Sequence, residues 1–327
     1  MTDLVYRHWN DTLNAHECVS VDGTAPGRLN LSHWPGNRTP VRFKHDVSTG
    51  MALKLAEAPD RLEVLKEFTT VTNNHWDTDG ACSAFAVVNP ALALTHGKAL
   101  LAAAIAGDFG QFTTPDGVKI DLTLTELTRR HDSPVASDKF TDDIKRRQAQ
   151  YDYALDMLPS LLANPDLHAD WFAQEFWTIQ QDLRALREGD AELERFDTID
   201  FSVVVSDRDL HDMAVNTAAG TDRILTVLLD DEGLYHYELR LTTLSWFDLL
   251  TAPQRTRLDW SGLVDQLNRE AKTEGGEWVA DDLTDPDPTV AFLDEDSNFA
   301  PNATRPDAIK RVMAAFFTKG PHLPAGL

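Results

Sequence analysis

The stretch Asn74-His75-Trp76-Asp77-Thr78-Asp79-Gly80 narrows the choice of fold more than any other part of this chain. It follows an apolar-leaning run, Phe68-Thr69-Thr70-Val71-Thr72, and precedes a helix-like segment, Ala81–Val88. That is the pattern of a strand ending in a tight turn that feeds a helix. Alternate side chains leave a strand end on one side, which would bring His75, Asp77 and Asp79 together above a sheet. One imidazole with two carboxylates is a hard, oxygen-rich ligand set suited to manganese or magnesium. Asp-Thr-Asp-Gly is equally ordinary turn chemistry, with Gly80 supplying a positive φ.

The same grammar recurs nearby. Strand patterns over Glu17–Gly23 and Arg28–Trp34 run into Gly- and Pro-bearing turns. A helix is expected over Ser48–Ala58 with Ser48 or Thr49 as N-cap, and another over Lys98–Ala106 ending at Gly107-Asp108-Phe109-Gly110. Strands alternating with helices predict an α/β fold with a mostly parallel sheet flanked by helices. Ligands bind such sheets beyond the carboxyl ends of the strands. Asp22, His33 and the His75–Asp79 run all stand at expected strand ends.

Asp138–Leu193 reads as helical, with Tyr151, Tyr153, Trp171, Phe172, Phe176 and Trp177 at roughly helical spacing and expected in the core. A second α/β pattern follows, with strands over Ile199–Val205, Ile224–Leu229 and Leu234–Leu241 and helices over Leu263–Ala271 and Asp307–Phe317. The 327 residues suit about two domains. We expect an α/β metal-binding domain over 1–137, a helical connector over 138–195 and a second, smaller α/β domain over 196–327 that caps or binds substrate.

The formal charge of −23 argues against nucleic acid or anionic membrane as the main partner, because phosphate backbones select basic surfaces. Two cysteines, Cys18 and Cys82, are too few for a disulfide framework and suggest a reducing compartment. With no apolar signal core over Met1–Asn10 and no long apolar run, the expectation is a cytoplasmic protein. A homodimer is compatible with this reading.

His75-x-Asp77-x-Asp79-Gly80 resembles the first motif of the DHH phosphoesterase superfamily, which includes RecJ-like nucleases and manganese pyrophosphatases. Val21-Asp22-Gly23 is similar to that family's second motif. Leu31-Ser32-His33-Trp34-Pro35-Gly36-Asn37 is similar to its Asp-His-His motif, with Ser32 and Trp34 replacing the Asp and the second His. Leu100–Phe112 is similar to the fourth. The motif order is second, third, first, fourth, a permuted arrangement. The resemblance covers roughly residues 17–112.

The resemblance implies two divalent cations, manganese or magnesium, about 3.5–4 Å apart. His75 and Asp77 would bind one, Asp79 and His33 the other, with Asp22 and Asp108 bridging. Trp34 would stand where the family has a substrate-facing His, and Asn37 and Arg38 would contact an anion. Arg240, in Tyr237-Glu238-Leu239-Arg240, resembles the family's phosphate-holding Arg strand, and Gly275-Gly276 its Gly-rich loop without the His. The expected activity is hydrolysis of a small phosphorylated substrate, through a water activated by the cations and the Asp22, His33, Asp79 and Asp108 set. A metal-dependent hydrolase of a non-phosphate polar metabolite and a catalytically inactive binding protein remain as alternatives.

Overall fold

A computed structural model describes residues 4–252, 255, 257–271 and 275–319. The chain divides into two compact units, one of Met1–Trp177 with Phe247–Pro253 and one of Thr178–Trp246 with Gln254–Leu327. Among the described residues there are eleven α-helices, a four-stranded parallel sheet and a six-stranded mixed sheet, an α/β protein. No helix among them is long and apolar enough to cross a membrane.

The first unit opens with β1 (Val5–Tyr6), β2 (Cys18–Val21) and β3 (Leu29–Leu31). Then come α1 (Ser48–Glu57), α2 (Arg61–Leu65), β4 (Thr70–Thr72) and α3 (Thr78–Val88). The helices α4 (Pro90–Thr95), α5 (Gly97–Phe109), α6 (Pro115–Arg129), α7 (Asp143–Ala163) and α8 (Ala169–Glu188) complete it, α8 running on into the second unit. The sheet order is β1-β4-β2-β3, with every pair parallel. Every residue of β2 and β3 is buried, as expected where helices cover both faces of a parallel sheet. Because the strands run the same way, Asp22, His33 and His75 follow strand ends on one edge. The two-residue β1 is too short to leave a pattern in the sequence.

Three local expectations are corrected. Gly80 lies inside α3 and has no positive φ. It is glycine because a Cβ there would collide with Tyr151 Oη and come within 2.8 Å of Asn73 Nδ2 and 2.9 Å of Asp77 Oδ1. Ser48 and Thr49 are not N-caps but the first residues of α1, and Val47 before them offers no side-chain cap. Their backbone N–H groups donate instead to Asp79, Ser48 N to Oδ2 at 2.6 Å and Thr49 N to Oδ1 at 2.7 Å. Finally, α5 does not stop at Ala106; it continues to Phe109 and ends at Gly110 in the left-handed region. Asp108 therefore projects from the last turn of a helix.

The expected helical run over Asp138–Leu193 is broken between α7 and α8 by a turn over 164–168, while Pro159 is accommodated inside α7. It ends at Gly189 (φ 89), and the next residues form a strand. Two of its expected core aromatics, Tyr153 and Trp177, are exposed instead. The second unit contains β5 (Glu192–Phe196), β6 (Phe201–Ser206), α9 (Asp212–Ala219), β7 (Arg223–Leu229), β8 (Tyr235–Leu241), α10 (Ser261–Glu270), β9 (Glu277–Ala280), β10 (Thr289–Leu293) and α11 (Pro306–Lys319). Its sheet order is β5-β6-β7-β8-β10-β9, in which only β6–β7 is parallel. Gly276 there packs where a Cβ would come within 2.7 Å of Phe292 and 2.8 Å of Ala300.

Candidate metal centre

The turn after β2 holds Asp22 and Gly23 in the left-handed region, at φ 46 and 74. Gly23 is required because a Cβ would come within 2.6 Å of Asn74 Oδ1 and 2.7 Å of His75 Nδ1. The same turn sets the fully buried Asp22 carboxylate beside both histidines. Its Oδ2 is 2.8 Å from His75 Nε2 and its Oδ1 is 3.5 Å from His33 Nε2.

Two ligand groups result, sharing Asp22. In the first, His75 Nε2 meets Asp22 Oδ2 and, at 2.7 Å, Asp77 Oδ2. Asp77 is the N-cap of α3: its Oδ1 accepts from Gly80 N at 2.7 Å, leaving Oδ2 for the cluster. In the second, His33 Nε2 lies 3.6 Å from Asp79 Oδ2 and 3.0 Å from Asp108 Oδ2, besides Asp22. One donor atom each from Asp22, His33 and Asp79, and one each from Asp22, His75 and Asp77, fall within 4.8 Å of one another. All six residues expected as ligands thus come together, and Asp22 is the one common to both groups.

The surroundings orient these donors. His33 Nδ1 is 2.6 Å from the Asp46 carbonyl oxygen, which fixes a proton on Nδ1 and turns Nε2 toward the carboxylates. Asp46 is itself held by the segment after Trp246: its carboxylate accepts from the N–H groups of Leu250 (2.5 Å) and Thr251 (2.9 Å). Phe247 of that segment stacks on the His33 ring, with centroids 3.8 Å apart and planes at 11°. Ser48 Oγ donates to Asp22 Oδ1 at 2.9 Å.

The electrostatics favour added positive charge. Burial pushes Asp79 up to about 6, reinforced by the Asp22 carboxylate. Burial likewise lifts Asp108 well above the usual range, with Asp79 adding to it. Burial would also raise Asp22, but His75 and His33 together hold it below the ordinary value. For His33, burial pulls downward and is outweighed by the Asp108 and Asp22 carboxylates. Four carboxylates against two imidazoles in a dry site is an arrangement that divalent cations balance. Asp22 Oδ2 and His33 Nε2 are buried and make no hydrogen bond of acceptable geometry, so both face the cluster unsatisfied. Hard oxygens with imidazole nitrogens suit manganese or magnesium; the residues present fit that kind of ion.

The remaining expected site residues divide. The Trp34 ring lies 4.6 Å from the His75 ring, tilted at 46°. Asn37 is occupied in holding its own loop, donating to the Trp34 carbonyl and to Asp248 Oδ2, each at 3.0 Å. Arg38 takes no part in either ligand group; its guanidinium reaches the Gly27 carbonyl at 3.5 Å. Arg240 belongs to the second unit, where it bonds Asp212 and Asn216. Sequence reasoning missed Asp46, Ser48 as a donor to Asp22, and Phe247. Asp46 and Ser48 lie close to the third motif, but nothing in the sequence links Phe247 to His33.

A search of curated proteins returns no match to this sequence. A family model described as a family of unknown function, DUF6687, matches residues 2–324. With nearly its whole length covered, the chain belongs to that family.

Proposed function

We propose that the protein is a divalent-metal-dependent hydrolase acting on a small phosphorylated substrate. The observation that carries this reading is the pair of ligand groups joined through one buried, backbone-strained carboxylate, Asp22. His75, Asp77 and Asp22 would hold one manganese or magnesium ion, and His33, Asp79, Asp108 and Asp22 a second. Two such ions supply an acidified water and positive charge against a developing phosphoryl oxyanion. The chain's own residues do the rest. Asp46 and Phe247 keep His33 in one tautomer and one plane. The α1 N-terminus fixes both oxygens of Asp79, and Ser48 fixes Asp22.

Metal analysis of the purified chain, with manganese reconstitution after chelation, tests the first half of the reading. A protein that neither carries nor regains a divalent ion overturns it. Hydrolysis of pyrophosphate, p-nitrophenyl phosphate and a short dinucleotide by the loaded protein tests the second half. The Trp34 ring against His75 supports a second reading, in which the substrate presents an apolar or planar group rather than a second phosphate. A loaded protein inert to every phosphoester but active on amides of comparable size would favour it.

A further inference from the structure

A cavity of about 380 Å³ opens on one face of the second unit's sheet, within the size range of small-molecule sites. Strand β8 creates it by alternation. Leu239 and Leu241 are buried in the core on one face, while His236, Glu238 and Arg240 line the cavity on the other, with the buried Tyr237 also reaching its lining. Glu238 occupies the middle of the floor, with Thr226 of β7 and Ala291 of β10 as its cross-strand partners. Leu210 and Val215 form an apolar wall, and the half-exposed ring of Phe299 stands at the rim.

The charges of this cavity do not cancel. Arg208 is paired with the buried carboxylate of Asp182. Arg240 is bonded to Asp212 and Asn216, and His236 lies 3.1 Å from Asp230. Each arginine of the lining thus has a carboxylate of its own. Among the described residues Glu238 has no ion pair; the nearest positive charge acting on it, Arg240, is shared with Asp212. Burial lifts the Glu238 carboxyl above its usual value against the pull of Arg240, and Asp212, Asp281 and Asp209 push the same way as burial. A half-buried carboxylate without a counter-ion, under surplus negative charge, is a binding position for a cation.

We propose that this cavity binds a small organic amine, its ammonium paired with Glu238 and its apolar body against Leu210, Val215 and Phe299. The charge balance speaks against a phosphate here, so Arg240 serves as a neutralised wall of an amine site rather than as an anion clamp. Nothing in this proposal rests on the metal cluster.

The test is isothermal titration of the full-length chain with benzylamine, tyramine and agmatine, and with benzyl alcohol as the uncharged match to benzylamine. At least one amine should bind with a Kd in the millimolar range or tighter, and benzyl alcohol at least about tenfold more weakly than benzylamine. Chelation should leave these values unchanged. Glu238→Gln, which removes only the charge, should abolish the preference for amine over alcohol. Should that variant fail to fold, Phe299→Ala at the exposed rim should weaken benzylamine several-fold. The proposal is overturned if no amine binds at about 10 mM, if the alcohol binds as well as the amine, or if Glu238→Gln (or, failing that, Phe299→Ala) leaves the amine affinity intact.

Discussion

The backbone of Asp22 sits at φ 46, a conformation that costs a non-glycine residue about 1–2 kcal/mol. That strain places one carboxylate between two histidines that lie far apart in sequence. Asp22→Asn keeps the shape but removes the shared charge. It should lower manganese affinity more than the roughly 10–100-fold of an outer-shell change, measured by metal titration of the chelated protein. Gly80→Ala acts on packing instead. Its methyl group meets Tyr151, Asn73 and Asp77 on three sides, and all three are held, Asn73 by Tyr151 and Asp77 by its cap bond. A loss of about 1–3 kcal/mol is expected for such overpacking, read from the denaturant midpoint. The sequence marks Gly80 as special, yet for the wrong reason: local chemistry suggested a turn, and the actual constraint is a tyrosine from α7.

Among the elements, α3 organises the first unit and is buried from Thr78 to Val87. Its small residues, Ala81, Cys82, Ser83, Ala84 and Ala86, let neighbouring helices approach on all sides. Its start joins the ligands to the frame, since Asp77 caps it and Thr78 Oγ1 donates to Asp121 of α6 at 2.6 Å. Burial pushes the Asp121 carboxyl up to about 7, above its unfolded value of about 3.9. The folded state therefore binds this proton more tightly than the unfolded state. The benefit is complete below about pH 4 and disappears as pH rises toward 7. Asp121→Asn keeps an acceptor for Thr78 without the charge. Its stability relative to wild type should rise between about pH 5 and pH 8, by roughly 3 kcal/mol. Denaturation of both proteins at the two pH values checks this, and a pH-independent difference would contradict it. The helices and strands near the motifs were legible from apolar patterning and strand-end turns, although the expected cap of α1 was not. The length of α5 was not, because Gly107 looked like a stop. Gly107 is instead a close-approach position, where a Cβ would lie 2.9 Å from Thr78 and 3.1 Å from Asp121.

For the molecule as a whole, the proposed metal site would tie stability to metal. Without the proposed cations, the clustered carboxylates, of which Asp22 and Asp79 are fully buried, would repel or take up protons. Chelation should lower the melting temperature, and manganese should restore it with a dependence on ion concentration, about 2.7 kcal/mol at a hundredfold excess over Kd. Phe247→Ala should weaken manganese binding by about tenfold with the fold retained, measured by metal titration alongside circular dichroism. The α/β class, the strand-end positions of Asp22, His33 and His75, and the donor types of the six clustered residues were readable from the chain. They depend on local periodicity and on donor type, which the residues carry with them. What only the tertiary structure decided was the partnership. It set Asp79 against the α1 N-terminus, brought Asp46 and Phe247 to His33, and left Glu238 in the second unit without a counter-ion among the described residues. Those pairings join positions distant in sequence through packing and burial, and no local pattern encodes which distant side chain will arrive.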